Sequence, residues 1–206
     1  MTADISGQTA EIAVRARSRK RFIVAVAGPP GSGKSTFASQ LSDSLQREGL
    51  STTVVPMDGF HLDNTVLQKK GLLNRKGAPE TFDFRGFLGI VEALHQSSDE
   101  VFIPIFDRSR ELAIAAAGSV RPEHQVVLIE GNYLLLDLLP WSRLDGCFDW
   151  TIMLMPPLHV LEERLMHRWL ELGMGLTVAR AKVQENDLPN GQIVRSRSRV
   201  ADVTLG

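Results

Sequence analysis

The sequence predicts a doubly wound α/β fold with a mainly parallel sheet and helices on both faces, and three observations carry that prediction. An unbroken apolar, β-branched run at 22–27 (FIVAVA) has the character of a strand buried on both faces. A glycine-rich loop and an amphipathic helical pattern follow it directly, and a second strand-like run, STTVVPM at 51–57, completes a strand–helix–strand unit. Apolar runs then alternate with helical patterns along most of the remaining chain, the order expected when helices cover one sheet.

Taken in order, residues 2–18 show loosely helical spacing, and Arg15, Arg17, Arg19, Lys20 and Arg21 crowd where cations suit the end of a helix. In the segment 35–48, Phe37, Ala38, Leu41 and Leu45 fall on one helical face, and Gly49 stops the helix. Further strands are expected at 101–106, 125–129 and 148–155, with a short one near 201–205. Helices are expected at 84–95 and 157–172, and a weaker one at 177–186. The run Asn186-Asp187-Leu188-Pro189-Asn190 is expected to break the helix and turn the chain back towards the sheet. The long stretch 58–82 is loop-rich, and loops of that size usually bind something.

A chain of 206 residues suits one domain. Residues 1–20 form its helical extension and about 157–187 form a lid with the helices that follow. The charged residues balance to a formal net charge of −1, which provides no field for gathering nucleic acid, so no nucleic-acid partner is expected. The single cysteine, Cys147, excludes an intrachain disulfide or a multi-cysteine zinc site and favours the cytoplasm. No apolar stretch approaches the roughly 18 residues that cross a bilayer, so neither export nor membrane insertion is expected.

Gly28, Pro29, Pro30, Gly31, Ser32, Gly33, Lys34 and Ser35 satisfy G-x-x-x-x-G-K-[ST], a pattern that background composition yields in about 1% of chains this long. Its place between a buried strand and a helix is the context such a phosphate loop requires. Glycines let successive N–H groups turn inward around an anion, and a helix opening at Lys34 aims its positive dipole end there. Lys34 is placed to reach the β/γ-phosphates, Ser35 to ligate magnesium, and Thr36 to meet the α-phosphate side. The expected fold is therefore that of the P-loop NTPases, with ATP and Mg²⁺ as cofactors. The loop alone does not separate kinases from switches or motor ATPases, because all share the cradle and differ in what attacks the γ-phosphate.

Two acids follow strands. Asp58 stands at the carboxyl edge of the strand at 51–57, where it can take a proton from an attacking hydroxyl, help hold magnesium, or do both. Glu130 follows the strand at 125–129 and can bind magnesium directly or through water. Ser35, Asp58 and Glu130 together make a cation cage. Further on, Arg164 and Arg168 lie four residues apart on one helical face, where both can meet the same anion and stabilise phosphoryl-transfer charge.

Besides GPPGSGKST, the chain carries MDGFH at 57–61, RKGAPETFDF at 75–84, IPIFDR at 103–108, IEGNYLLL at 129–136 and RLMHRW at 164–169. With these motifs it resembles the uridine kinase, phosphoribulokinase and pantothenate kinase family from residue 22 to about 199. The resemblance implies Asp58 as the catalytic base and Glu130 as a magnesium ligand. It also implies that Phe60, His61, Arg75, Lys76, Phe82, Asp83, Asp107 and Arg108 surround the acceptor, and that the region 186–190 lies near the adenine.

The RKGAPETFD and DGFH elements look closest to pantothenate kinases and to a bacterial subgroup of fructose-transport or sugar-type kinases. That implies an ATP-dependent phosphotransferase acting on an alcohol hydroxyl, with a sugar or polyol as small-molecule acceptor; pantothenate or a nucleoside is the alternative. In uridine kinases the lid continues with an arginine beside a glycine, whereas this chain reads Glu171-Leu172-Gly173-Met174-Gly175, and Arg180 is the candidate replacement. A P-loop ATPase or nucleotide sensor attached to a transport system would explain the cradle but leave Asp58, the Arg75–Lys76 pair and the lid arginines without a shared purpose. A homodimer is compatible with the chain.

Overall fold

The computed structural model describes residues 4–96 and 98–206. Its main sheet contains five parallel strands in the order β2-β5-β1-β6-β7: β1 is Phe22–Ala27, β2 Thr52–Pro56, β5 Val126–Gly131, β6 Trp150–Leu154 and β7 Val203–Leu205. Every residue of β1 and β5 is buried. Strand alternation divides these side chains between two cores: Ile23, Ala25, Val127 and Ile129 join one, while Phe22, Val24, Val126 and Leu128 join the other. The doubly covered sheet expected from the apolar runs is therefore what forms.

One face is covered by α1 (Ile5–Ala16) and α2 (Lys34–Arg47), which also pack on each other. The expected start of the first helix at residue 2 lies outside the described residues. Asp4 caps α1 by accepting from the Gly7 N–H at 2.8 Å. Gly49, in the left-handed region at φ 82°, ends α2, with Leu50 N–H returning to Leu45 O at 3.1 Å. On the other face, after the short α3 (Asn64–Lys69), α4 (Phe84–Gln96) inserts Phe84, Phe87 and Leu88 beside Tyr133 and Trp141. Rings of Phe82, Phe84, Phe87 and Tyr133 stand around Trp141 at centroid separations of 5.2–6.0 Å. This aromatic block anchors the loops that surround the site.

Two segments depart from the sequence expectation. The strand expected at 101–106 is present as β3 (Val101–Asp107), but it lies outside the main sheet, in an antiparallel hairpin with β4 (Leu112–Val120). The hairpin packs on the 3₁₀ turn Met57–Phe60, where a side chain at Gly59 would meet Pro104 O at 2.2 Å. The second departure is at 186–190, where the helix does not break. After α5 (Leu158–Glu171), α6 (Leu176–Lys182) passes through a π-helical turn, Val183–Asp187, into α7 (Leu188–Arg197). Leu188 N–H reaches Val183 O, five residues back, and Pro189 falls in the first turn of α7, where a missing N–H is tolerated.

Candidate functional site

The order of the strands brings the expected acids together. Glu130 on β5 is in register with Val26 on β1 and Pro56 on β2, so it lies between the start of the glycine loop and the turn that carries Asp58. Loop 28–33 spans from β1 to α2. Gly31 and Gly33 hold φ of 78° and 88°, a region costly for other residues. A Cβ on Gly28 would stand 2.5 Å from Ser32 Oγ and 2.8 Å from Leu154 O. No side chain caps α2 and no acid lies in its first turn, which leaves its first amides and positive dipole end available to an anion. Ser32 Oγ, buried in the loop, has no hydrogen-bond partner. These features fit a polyphosphate.

The same residues fit magnesium. Ser35 Oγ donates to Glu130 Oε1 at 3.0 Å, and Asp58 stands close enough to Glu130 to affect its ionisation. Among the described residues no cluster of three His, Cys, Asp or Glu side chains could cage a metal by itself. That is the usual situation for Mg²⁺, which one or two carboxylates, nucleotide phosphates and water hold together.

The two carboxylates are tuned in opposite directions. Burial pushes Asp58 upward, but His61, protonated only at the acid pH where Asp58 titrates, together with the charges of Lys34 and Arg108 and a hydrogen bond from Arg108, outweighs it and holds the group below the usual range. Burial raises Glu130, Lys34 pulls it down, and the nearby Asp58 charge pushes it up again; it ends above the usual range. Burial also lowers His61, against the pull of Asp58, and keeps its ring neutral at pH 7. His61 Nδ1 lies 2.8 Å from Asp58 O; facing a carbonyl, that nitrogen bears the proton and donates. The ring sits between Phe82 and Phe106, at centroid separations of 4.1 and 4.9 Å.

A cavity of about 370 Å³ opens beside the loop, lined by Lys34 and Ser35 together with Asp58, His61, Lys76 and Arg108. Lys76 Nζ donates to Asn64 Oδ1 at 2.8 Å and contacts the Glu111 carboxylate at 3.2 Å. The other residues of the expected acceptor pocket build its frame. Arg75 pairs with Glu80 at 3.2 Å on the surface, and Asp83 accepts from Gly86 N–H at 3.0 Å at the start of α4. Asp107 folds the hairpin turn by accepting from Ser109 N–H and Oγ–H at 2.9 and 2.7 Å. Phe60 and Phe82 are buried, Phe60 against Phe87 at 5.0 Å.

Arg164 and Arg168, four residues apart on α5, line different cavities. Arg164 donates to Ser32 O at 3.2 Å and borders a second cavity walled by Phe37, Leu154, Pro156 and Leu205. Arg168 enters the first cavity, its guanidinium 5.2 Å from the Trp169 ring centre. Arg180 is exposed, and the cation that α6 directs to the first cavity is Lys182. Sequence reasoning missed Trp169, Lys182, Asn132 and Asn190 as cavity residues. The usable signals were the Trp169 neighbour of Arg168 and the Asn186/Asn190 pair at helical i, i+4 spacing. Asp187, raised by burial, accepts from Trp169 Nε1–H at 2.6 Å and so ties the π turn to α5. Arg195 and Arg199, at the chain's end, bind backbone carbonyls, those of Pro156 at 3.1 Å and Leu144 at 3.1 Å.

Comparison with known proteins agrees with this geometry. The phosphoribulokinase/uridine kinase family profile matches residues 23–168. The chain is 34% identical to the uncharacterised protein YggC of Escherichia coli strain K12, over 91% of this chain and 78% of that one. It is 32% identical to a provisionally named uridine kinase of Schizosaccharomyces pombe, over 92% and 84% of the two chains. Among solved structures, one from Silicibacter sp. TM1040, provisionally named a fructose transport system kinase, superposes with a TM-score of 0.91 at 46% identity, covering 99% of this chain and 98% of that one. Phosphate loop, paired acids and family match together make the chain a member of the phosphoribulokinase/uridine kinase family and an ATP-dependent phosphotransferase with an alcohol group as acceptor.

Proposed function

We propose that the protein transfers the γ-phosphoryl group of magnesium–ATP to a hydroxyl of a sugar or polyol. The observation that carries this reading is Asp58. It is an anionic carboxylate that shares one cavity with Lys34, backed by Arg108 and neutral His61, where an acceptor hydroxyl could lie between it and the γ-phosphate. Phosphoryl transfer needs positioning and charge stabilisation more than covalent chemistry. Asp58 orients the attacking O–H and takes its proton. Lys34 and Arg168 face the charge that spreads over the transferred group, while Arg164 braces the loop from behind. Ser35 and Glu130 would hold the magnesium, which supplies charge neutralisation across the β- and γ-phosphates.

The second cavity suits the adenine end, since its apolar walls stand on the far side of the loop from Asp58 and Arg164 lies at its edge. The segment 186–190, expected near adenine, instead contributes Asp187 and Asn190 to the cavity that holds Asp58. A sugar acceptor is supported by the provisional name of the Silicibacter structure and by the polar groups around Asp58. No helix among the described residues is long and apolar enough to cross a membrane, and the free thiol of Cys147 suits a reducing cytoplasm. The test is ADP release with magnesium–ATP across a panel of sugars, polyols, nucleosides and pantothenate, with products identified by mass spectrometry. Acceptor-dependent ADP and a phosphorylated sugar are expected. A rate that no acceptor changes would leave an ATPase.

A further inference from the structure

Three hydrogen bonds account for the whole ammonium group of Lys76. Its Nζ donates to Asn64 Oδ1 at 2.8 Å, to Glu111 O at 3.0 Å and to Glu111 Oε2 at 3.2 Å. An ammonium has three N–H bonds, so this lysine borders the cavity with no donor to spare for a ligand. Its side chain is only 12% exposed. The backbone around it is fastened as well, because Asn186 Nδ2–H donates to Lys76 O at 2.9 Å and Tyr133 O–H to Gly77 O at 2.6 Å.

What Lys76 grips is the turn of the hairpin. Asp107 and Leu112 are paired at the ends of β3 and β4, so the turn runs from Arg108 to Glu111. Glu111, its last residue, holds φ of 53°, a conformation uncommon for residues other than glycine. Arg108, its first residue, reaches the Asp58 carboxylate. Both cations also rest on one ring, with Lys76 Nζ 5.1 Å and the Arg108 guanidinium 5.9 Å from the centre of Phe106. The turn is therefore tied at both ends to the stretch 58–82, at one end through Asp58 and at the other through Lys76.

We propose that Lys76 is a positioning residue that touches neither substrate: by clasping Glu111 it fixes the hairpin turn and so holds the Arg108 guanidinium against Asp58. Its task is to set the geometry in which Asp58 meets the acceptor hydroxyl. The proposal rests on the kinase reading above and gives Lys76 a role other than contact with the acceptor.

The test is steady-state kinetics with magnesium–ATP and the sugar or polyol that gives the fastest acceptor-dependent ADP release in the panel above. Lys76→Met keeps an unbranched stem and loses the ammonium. It should lower kcat by about 10- to 100-fold, the scale of a misplacement of about 1 Å, and leave KM for ATP and for the acceptor within about threefold of wild type. Glu111→Asn tolerates the left-handed backbone but withdraws the carboxylate, and should give a smaller defect of the same kind because Glu111 O is retained as an acceptor in the backbone. In an Arg108→Ala background, Lys76→Met should cost less than about twofold further, since the clasp acts through Arg108. Should Lys76→Met fail to fold, Glu111→Asn combined with Arg108→Ala reads the same coupling from the exposed turn.

An acceptor KM raised about tenfold or more with kcat held in Lys76→Met, beside an unaffected Glu111→Asn, would make Lys76 a substrate ligand and overturn the proposal while the kinase reading stands. So would independent, additive losses from the Arg108 and clasp variants. If no compound in the panel lifts ADP release above the acceptor-free rate, the kinase reading itself falls and takes the proposal with it.

Discussion

Asp58→Asn keeps the shape of the side chain and removes its charge, so it separates the two roles an acid here can play. In the folded protein the carboxylate is ion-paired with Arg108 and lies within the field of Lys34. As a base it supplies about 10²- to 10⁴-fold, which at ~1.36 kcal/mol per decade is about 2.7–5.4 kcal/mol of barrier, and an amide supplies none of it. ATP binding should move the other way. The cavity that Lys34 lines loses an anion and leaves Arg108 unpaired, so phosphates meet a more positive surface and KM for ATP stays level or falls. The assay is coupled ADP release at saturating acceptor, repeated across a magnesium titration. Turnover near that of wild type would refute the base role. A near-normal kcat with a magnesium requirement raised by about tenfold or more would make Asp58 a metal ligand instead.

Glu130→Gln should raise the melting temperature of the ligand-free protein at pH 8 while abolishing most turnover. Because folding lifts the Glu130 pKa, the folded state binds more protons than the unfolded one above the ordinary value of 4.5, and stability is lost as pH rises through the folded pKa. An uncharged amide escapes that loss, and each ~1 kcal/mol regained is worth about 2–4 °C in a chain this long; a lower melting temperature at pH 8 would contradict it. Asp58 has the opposite sign: its stabilising contribution is present above 3.8 and disappears as pH falls through its depressed folded pKa, which acid titration of wild type against Asp58→Asn would show. Gly59→Ala places a methyl 2.2 Å from Pro104 O, so the turn and the hairpin must separate; stability should fall by roughly 1–3 kcal/mol and kcat with it, checked by denaturant melts and rate assays. Arg164→Ala should weaken ATP binding and Arg168→Ala should lower kcat, because the two side chains line different cavities; identical kinetic defects would argue against that division.

Where side chains are buried on both faces, the sequence announces its structure plainly: FIVAVA and QVVLI leave few options besides central strands, and the glycine loop between strand and helix leaves few besides an anion cradle. β4 gave no such signal, because Leu112–Val120 is rich in alanine and half exposed, and its pairing with β3 is purely local. The run at 186–190 carries Asn, Asp and Pro, residues that signal a stop when the helix around them is regular. A π turn reroutes one hydrogen bond and removes the conflict, and nothing local encodes that choice. The acceptor side was legible as motifs but not as roles. Asp83 and Asp107 sit beside Phe82 and Arg108 in their motifs, yet they fold a helix start and a hairpin turn, since adjacency in sequence does not say which way a side chain points. Asn132 and Asn190 become visible only when distant segments meet.

The hairpin of β3 and β4 stands apart from the sheet, yet it delivers Arg108 to Asp58 and packs its backbone on Gly59. On the proposed reading, nucleotide handling is built into β1, β5 and α2, while the part of the acceptor's surroundings that includes Arg108 rides on an appendage with its own hydrogen-bond ladder. Changes along that appendage could alter which alcohol is chosen without disturbing the helix and strand that hold Lys34 and Glu130. Such a division of labour lets one phosphate-handling frame serve chemically diverse acceptors through piecemeal replacement of a single outlying ribbon.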